Sequence, residues 1–161
     1  MSPETNHSAF TIKFSSAVAV LETEIGISKP YDPDSEDGTP TITSFRAVWD
    51  TGASCCVISQ KVVDSLKLPQ IDSIVTHTAN GTRLSGVYLI NVYLPNKVSF
   101  SAVRAIDADI DAFSADVLIG MDIIGKGDFA VTHKNKTTCM TFQIPSRRHI
   151  DFVKDMGKGK S

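Results

Sequence analysis

The stretch that decides how this chain folds reads Val48-Trp49-Asp50-Thr51-Gly52-Ala53-Ser54. An acidic residue ends an apolar strand and is followed by a small hydroxyl residue and a glycine, a composition typical of a tight turn. Apolar residues resume at Val57 and Ile58, so the carboxylate is expected between two buried strands. Burying a charge costs free energy unless a partner or a function offsets it. Asp50 is therefore either the cap of a structural Asx-type turn or a reactive group.

Two further segments favour a reactive group. The apolar segment Leu118-Ile119 meets Gly120 far downstream of the turn. Between the two motifs, Asn80-Gly81 joins two β-like segments, and Asn-Gly is the strongest short-range hairpin signal. Ala53 and Ser54 are small and leave room beside the turn for a bound chain. These features favour a functional Asp50 over a purely structural one.

Composition excludes several classes of protein. The chain has 161 residues, a hydrophobic fraction of 42% and a formal charge of −2, which suits one compact domain without electrostatic attraction to nucleic acid or anionic lipid. No apolar run approaches the roughly 20 residues that span a bilayer, and no secretory signal is evident at the amino terminus. Three cysteines, two of them adjacent, do not make a disulfide framework, so a reducing cytoplasm is the expected location.

The apolar patterning predicts a mainly β chain with one or two short helices. Strands are expected over residues 10–21, 45–49, 56–58, 73–78, 83–94, 98–106 and 117–119, with a final hairpin over 129–133 and 137–144. Ser59 is the expected N-cap of a short helix that buries Val62, Val63 and Leu66, and Met121 to Ile124 is expected to form one helical turn. The proline-rich segment 28–41 is expected to be an exposed loop. We found no internal repeat.

The motifs at 48–54, 80–81 and 117–124 together resemble the retroviral-type aspartic peptidases, the homodimeric retropepsin-like family, its small bacterial branch included. The resemblance covers residues 10–145 as an architecture. It implies a closed β-barrel or sandwich with a flap hairpin, active as a C2 homodimer. Residues 1–9 are then a flexible amino terminus, and residues 146–161 are a basic tail.

The resemblance also implies a site and a reaction. Asp50 is the catalytic acid, and Thr51 and Gly52 support its turn. A polypeptide substrate binds in an extended form and is cut without a metal or cofactor. The implied substrate-binding residues come from the turn, the flap and the downstream segment: Ala53, Ser54, Cys55, Ala79, Asn80, Gly81, Leu118 and Ile119.

A dimer follows from the chemistry of such a site. Two carboxylates that share one proton are needed, because both cannot ionise at close range. The chain carries one Asp-Thr-Gly and one apolar-apolar-Gly segment. The second carboxylate must therefore come from another copy across a twofold axis.

Other constellations carry weaker signals. Asp107, Asp109 and Asp111 resemble a calcium loop, but Ala112 and Leu118 stand where glycine and glutamate are required, so we interpret this stretch as a solvated loop. The four histidines show no metal spacing. Two acids could in principle pair with Asp50 inside one chain, Asp116 and Asp122. Of these, Asp122 is expected instead to anchor the short helix and the dimer edge.

Two rival functions stay open at this point. One is a retropepsin-like domain that serves only as a dimerisation or peptide-binding module, which would have no need of an intact Asp50-Thr51-Gly52. The other is an unrelated small β-barrel in which Asp-Thr-Gly is a structural turn. The second predicts a monomer that keeps every function when Asp50 is replaced by asparagine.

Overall fold

A computed structural model describes residues 4–5, 8–31, 38, 40–78, 81–110 and 114–157. Strands dominate these residues, as the patterning predicts. The strands are β1 Glu4–Thr5, β2 Ala9–Lys13, β3 Glu22–Ser28, β4 Thr43–Trp49, β5 Val57–Ile58, β6 Asp72–Thr78, β7 Gly81–Tyr93, β8 Ser99–Asp107, β9 Val117–Ile119, β10 Asp128–Lys134 and β11 Thr137–Gln143. The helices are α1 Gln60–Leu66, α2 Met121–Ile124 and α3 Phe152–Gly157. No helix in the described part of the chain is long and apolar enough to cross a membrane.

The larger sheet closes on itself. Its seven strands follow the order β3-β4-β9-β5-β8-β7-β6, and β3 also pairs with the distal half of β7. Six of the strands therefore form a ring of hydrogen-bonded pairs, and β6 extends from β7 as the other arm of a hairpin. The closed sheet that the resemblance implies is present.

A four-stranded antiparallel sheet, ordered β1-β2-β11-β10, packs beside this ring. Strand β11 is central and alternates buried with half-buried residues. One of its buried side chains, Phe142, forms an aromatic cluster with Phe10, Trp49 and Phe129. The indole N–H of Trp49 donates to the Thr23 hydroxyl at 3.0 Å, so the largest side chain of the core has its polar atom satisfied.

Several strand and helix predictions are confirmed within a residue or two. Strands β4 and β9 and helix α2 lie where the pattern put them, and the last hairpin turns through Asn135 and Lys136, which both have positive φ. Helix α1 starts after Ser59, as expected. The Ser59 side chain forms no capping hydrogen bond, however, and its buried hydroxyl has no partner within the described residues.

Two predictions are wrong. The strand expected over residues 10–21 ends at Lys13, and the chain bends at Ser15 and Ser16 while the Ser16 carbonyl still accepts the Thr138 N–H of β11 at 3.1 Å. Strand β3 was not predicted, and it places Ser28, the first residue of the expected exposed loop, fully in the interior. Half of that loop, residues 32–37 and 39, lies outside the described residues.

Candidate active site

The carboxylate of Asp50 lies where three strands meet. Strand β9 runs parallel to β4 on one side and antiparallel to β5 on the other, so it separates the two strands that flank the turn. The backbone N–H of Asp50 continues this pairing by donating to the Ile119 carbonyl at 3.0 Å. The two motifs that the sequence analysis singled out are thus hydrogen-bonded to each other.

The turn holds its own carboxylate in place. Asp50 Oδ1 accepts the backbone N–H of Gly52 at 2.8 Å, and the Asp50 carbonyl accepts the N–H of Ala53 at 3.2 Å. Asp50 is half-buried, whereas Thr51, Gly52 and Ser54 are exposed. The carboxylate keeps one oxygen free of hydrogen bonds to the described residues, at the surface of the chain.

Gly120 lets the downstream motif pack against the turn. A Cβ on Gly120 would lie 2.5 Å from the Cys55 carbonyl oxygen and 3.0 Å from the Ala53 carbonyl oxygen. Both obstacles are backbone atoms, which cannot rotate aside as a side chain would. The next residue, Met121, donates its N–H to the same Ala53 carbonyl at 2.8 Å. A glycine is therefore required here by close approach of two backbones.

The two acids considered as partners for Asp50 within one chain make their hydrogen bonds elsewhere. Asp116 accepts from the Lys61 ammonium at 2.8 Å and from the Arg46 N–H at 3.2 Å. Asp122 accepts from the N–H and the thiol of Cys56. The prediction that Asp122 anchors α2 is confirmed, since it also accepts from the N–H of Ile123 at 3.0 Å. Its part in a dimer edge remains a prediction.

An apolar cavity of about 390 Å³ opens beside the turn. Most of its wall is apolar, with Cys55 on one side and Ile74 of the hairpin on another. The rest of the lining is apolar at Phe100, Val103, Ile106 and Ile123 and polar at Ser101, Arg104, Asp122 and Lys126. Burial raises the pKa of the Cys55 thiol, and the nearby Asp122 carboxylate adds to the effect. The cavity can accommodate a large apolar side chain.

The remaining predicted site residues fall into two groups. Leu118 and Ile119 are buried, Leu118 in a small cluster with Val48 and Val57, and Ile119 in the main core. Of the expected flap tip, Ala79 and Asn80 lie outside the described residues. Gly81, with φ of +118°, pairs with Thr78 and closes the hairpin of β6 and β7.

A buried carboxylate at the base of this hairpin was missed by the sequence analysis. Asp107 is only 6% exposed and ends strand β8, so the interpretation of the acidic stretch as a solvated loop is wrong for this residue. Its two oxygens accept from the Arg83 guanidinium and from the backbone N–H of Gly86, both on β7. The signal was available, because the alternation of Val103 and Ala105 continues to Asp107.

The described residues contain no group of three His, Cys, Asp or Glu side chains that converge as metal ligands.

Comparisons with known proteins agree with this geometry. The family model described as aspartyl protease matches residues 37–123, which is more than half of the chain. Among solved structures, a retropepsin-like aspartic protease from Rickettsia conorii superposes with a TM-score of 0.52 at 12% identity, over 89% of this chain and 97% of that one. The likeness is one of fold. No curated protein sequence matches.

Two viral enzymes also superpose, less closely. Simian foamy virus (mac) protease gives a TM-score of 0.43 at 16% identity, over 65% of this chain and 92% of that one. EIAV protease, solved with the inhibitor HBY-793, gives 0.45 at 17% identity, over 66% of this chain and 86% of that one.

Proposed function

We propose, from the premise that this chain belongs to the aspartyl protease family, that it is an endopeptidase whose active site forms between two copies. Each copy supplies one Asp50. The observation that carries the proposal is a single half-buried carboxylate, held on a strand-bound Asp-Thr-Gly turn, while the neighbouring acids Asp116 and Asp122 are occupied by other partners. A retropepsin-like fold supplies the scaffold.

The two Asp50 carboxylates share one proton, because two like charges at hydrogen-bonding distance cannot both persist. The ionised member takes a proton from a water molecule as the water oxygen bonds to the peptide carbonyl carbon. The protonated member gives its proton to the carbonyl oxygen. When the tetrahedral intermediate collapses, the C–N bond breaks, the nitrogen leaves with the proton held by one carboxyl of the dyad, and one hydroxyl of the intermediate gives its proton to the other carboxylate as the new C=O forms. The pKa values of this step belong to the pair.

Two exposed residues of the turn, Thr51 and Gly52, act in the proposed dimer. The Thr51 hydroxyl bonds across the twofold axis to the partner turn and locks the two together. Gly52 already donates its N–H to Asp50, and its lack of a side chain lets the substrate backbone approach.

The substrate is a polypeptide bound in extended form, paired like a strand beneath the hairpin of β6 and β7. Ala53, Ser54 and Cys55 line the cleft from below, with Leu118 and Ile119 behind them. Ala79, Asn80 and Gly81 close over it as a flap that excludes water. The cavity beside Cys55 takes a large apolar side chain of the substrate.

The same proposal extends to the domain bounds, the cellular location and the cofactor requirement. Residues 10–145 form the catalytic domain, and the basic residues after 146 form a tail outside it. The three cysteines are unpaired thiols, which suits a reducing cytoplasm. The reaction needs no cofactor.

The test compares wild type with Asp50→Asn on a denatured, mixed protein substrate across pH. We expect cleavage by wild type, inhibition by pepstatin, a mass of two chains in solution, and a loss of about 100-fold or more in Asp50→Asn. Asp64→Asn, an exposed acid on α1, serves as the matched control and keeps full activity. Peptide binding without cleavage by wild type would instead establish a binding module. A monomer whose Asp50→Asn variant behaves as wild type would overturn the proposal.

A further inference from the structure

The cavity beside Cys55 has charged residues in its lining as well as apolar ones. Two of them are basic, Arg104 on β8 and Lys126 just after α2, and one is acidic, Asp122 on α2. In a largely apolar pocket, a few charged or polar groups fix the orientation of a ligand and decide which ligand is accepted. These charges therefore bear on which groups lie beside the apolar side chain of a bound substrate.

The acidic member of the lining is held by the protein itself. Asp122 Oδ2 accepts from the Cys56 N–H at 3.0 Å, and Oδ1 accepts from the Cys56 thiol at 3.3 Å and from the Ile123 N–H at 3.0 Å. Both oxygens are engaged in this way. A substrate in the cavity is therefore left to interact with the two basic side chains.

The two basic side chains keep donors for a carboxylate. Lys126 is exposed and forms no ion pair with another described residue. Arg104 donates to Asp72 at 3.0 Å, but both side chains are more than half exposed, so this ion pair is weak. A guanidinium has five N–H donors, and its bond to Asp72 leaves others for a second carboxylate.

Both basic residues are positioned close to the Asp50 turn. Burial raises the pKa of the Cys55 thiol and the Arg104 charge opposes that rise, which places the guanidinium near the wall that Cys55 forms. The backbone N–H of Lys126 donates to the Ile123 carbonyl at 2.9 Å, so its main chain is fixed to α2. Helix α2 is in turn bound to Cys56 through Asp122. The exposed Lys126 side chain can then swing toward a chain bound at the turn.

We propose that Lys126 and Arg104 select substrates that carry an aspartate or glutamate two positions from the apolar side chain in the cavity. The inference rests on the proposed function and names the substrate class of that same site. In an extended chain, side chains two positions apart point to the same face and are about 6.5–7 Å apart along the chain. An apolar side chain in the cavity thus presents the acidic one at the rim, where the exposed cations stand.

Three peptides that differ at one position test the selection. Each carries the same apolar residue for the cavity and has glutamate, glutamine or lysine two positions away. The apolar residue and the direction are chosen from the peptides that the protein cuts or retains in a digest of mixed proteins. We expect kcat/KM to be about two- to fivefold higher for the glutamate peptide than for the glutamine peptide, and lowest for the lysine peptide. The difference lies in KM and shrinks in 1 M NaCl, where the Debye length is about 3 Å.

Charge reversal separates selection from a loss of stability. Lys126→Glu should reverse the order, so that the lysine peptide is cut faster than the glutamate peptide. A variant that only weakens the fold slows all three peptides alike and keeps their order. Lys136→Glu makes the same change on the exposed turn between β10 and β11 and is the matched control, which keeps the wild-type order. Arg104→Gln should reduce the preference for glutamate without reversing it.

Peptide binding distinguishes the failure of this inference from the failure of the proposed function. Fluorescence anisotropy with Asp50→Asn gives the dissociation constant of each labelled peptide without cleavage. Cleavage that depends on Asp50 but has the same kcat/KM for the three peptides, or an order that Lys126→Glu leaves unchanged, overturns the selection and leaves the proposed function standing. If wild type cuts no peptide, the proposed function fails, and the selection is supported only if Asp50→Asn binds the glutamate peptide most tightly.

Discussion

The carboxylate of Asp122 accepts two hydrogen bonds from Cys56, one from the backbone N–H at 3.0 Å and one from the thiol at 3.3 Å. Asp122 lies in the short helix α2, and Cys56 leads into strand β5 after the Asp50-Thr51-Gly52 turn. These two hydrogen bonds fix the end of the turn to the downstream segment. Gly120, which has no side chain, allows the backbones of the two segments to approach closely. The segment around Asp50 and the segment around Gly120 therefore hold each other in place.

Removing this link should destabilise the fold around the turn. For Asp122→Ala, we expect the free energy of unfolding to fall by about 2–3 kcal/mol, because a buried N–H loses its acceptor. Asp122→Asn keeps a carbonyl oxygen for that N–H and should lose less. Urea denaturation measures the difference. Asp64→Ala, which removes only an exposed contact with Gln60, should change stability by no more than about 0.5 kcal/mol. Equal losses in Asp122→Ala and Asp64→Ala would contradict the role of Asp122.

The two adjacent cysteines should react slowly with thiol reagents. Burial raises the pKa of both thiols, more strongly for Cys56, and Asp122 adds to each effect. The thiolate is the reactive form, so iodoacetamide at pH 8 should label Cys55 slowly and Cys56 only on unfolding. Mass spectrometry of digests at timed intervals reads the order. Labelling of Cys56 ahead of Cys55 in the folded protein would be inconsistent with this picture.

Because the pKa values of these thiols are raised, the free energy of unfolding should depend on pH in alkaline solution. A thiol whose folded pKa is raised stays protonated in the native state, whereas the unfolded chain loses that proton above its ordinary pKa of about 8.5. The unfolded state then binds fewer protons, so the free energy of unfolding falls as the pH rises past that value. Cys56→Ala should flatten the fall between pH 8 and 10, as measured by denaturation at each pH. An unchanged slope would remove Cys56 as its cause.

Asp107 should control the hairpin of β6 and β7. Its carboxylate is bound to Arg83 and to the Gly86 N–H, so Asp107→Ala leaves a backbone donor unpaired and frees the Arg83 side chain. We expect faster amide hydrogen exchange across residues 83–88 and a raised KM, with the stability loss about 1–3 kcal/mol. Asp72→Ala is the matched control, since it breaks an exposed ion pair with Arg104 between the same hairpin and β8. Exchange rates that rise equally in both variants would refute a special role for Asp107.

Local patterns in the sequence sufficed for the catalytic turn, β9, α2 and the last hairpin, because each is fixed by residues close in the chain. Strand β3 was not predictable in this way. Glu22, Glu24 and Gly26 alternate with its buried residues and have low strand propensity, and the strand is held by pairing with β4 and β7, which are distant in sequence. Contacts distant in sequence also explain why Asp107 is buried, although the run of acidic residues predicted a solvent-exposed loop. Its partners Arg83 and Gly86 lie more than 20 residues away.

The candidate site was also predictable only where residues close in the chain determine it. The link between Asp50 and Ile119 follows from two recognisable motifs, but the stacking of Phe129 on Trp49 does not, since nothing near either residue specifies the other. The aromatic cluster forms only when the four-stranded sheet closes over β4. The place of β10 at the edge of the four-stranded sheet, among the described strands, is likewise a property of the sheet order, which no single segment encodes.

Ala53 should set the acid limit of activity. A hydroxyl at this position, beside the turn, would donate to the Asp50 carboxylate and stabilise its charged form, which alanine cannot do. Ala53→Ser should therefore favour the charged form of the dyad. We expect the acidic limb of the profile of kcat/KM against pH to move to lower pH in the variant, and wild type to peak in mildly acidic to near-neutral solution.

The control for this shift is Ala9→Ser on β2, which adds the same hydroxyl in the other sheet and should leave the profile in place. The readout separates the proposed hydrogen bond from a general loss of stability. A destabilised enzyme loses activity at every pH, whereas a changed dyad moves the limb along the pH axis. A profile for Ala53→Ser that is lower but not displaced would mean that the added hydroxyl does not reach Asp50.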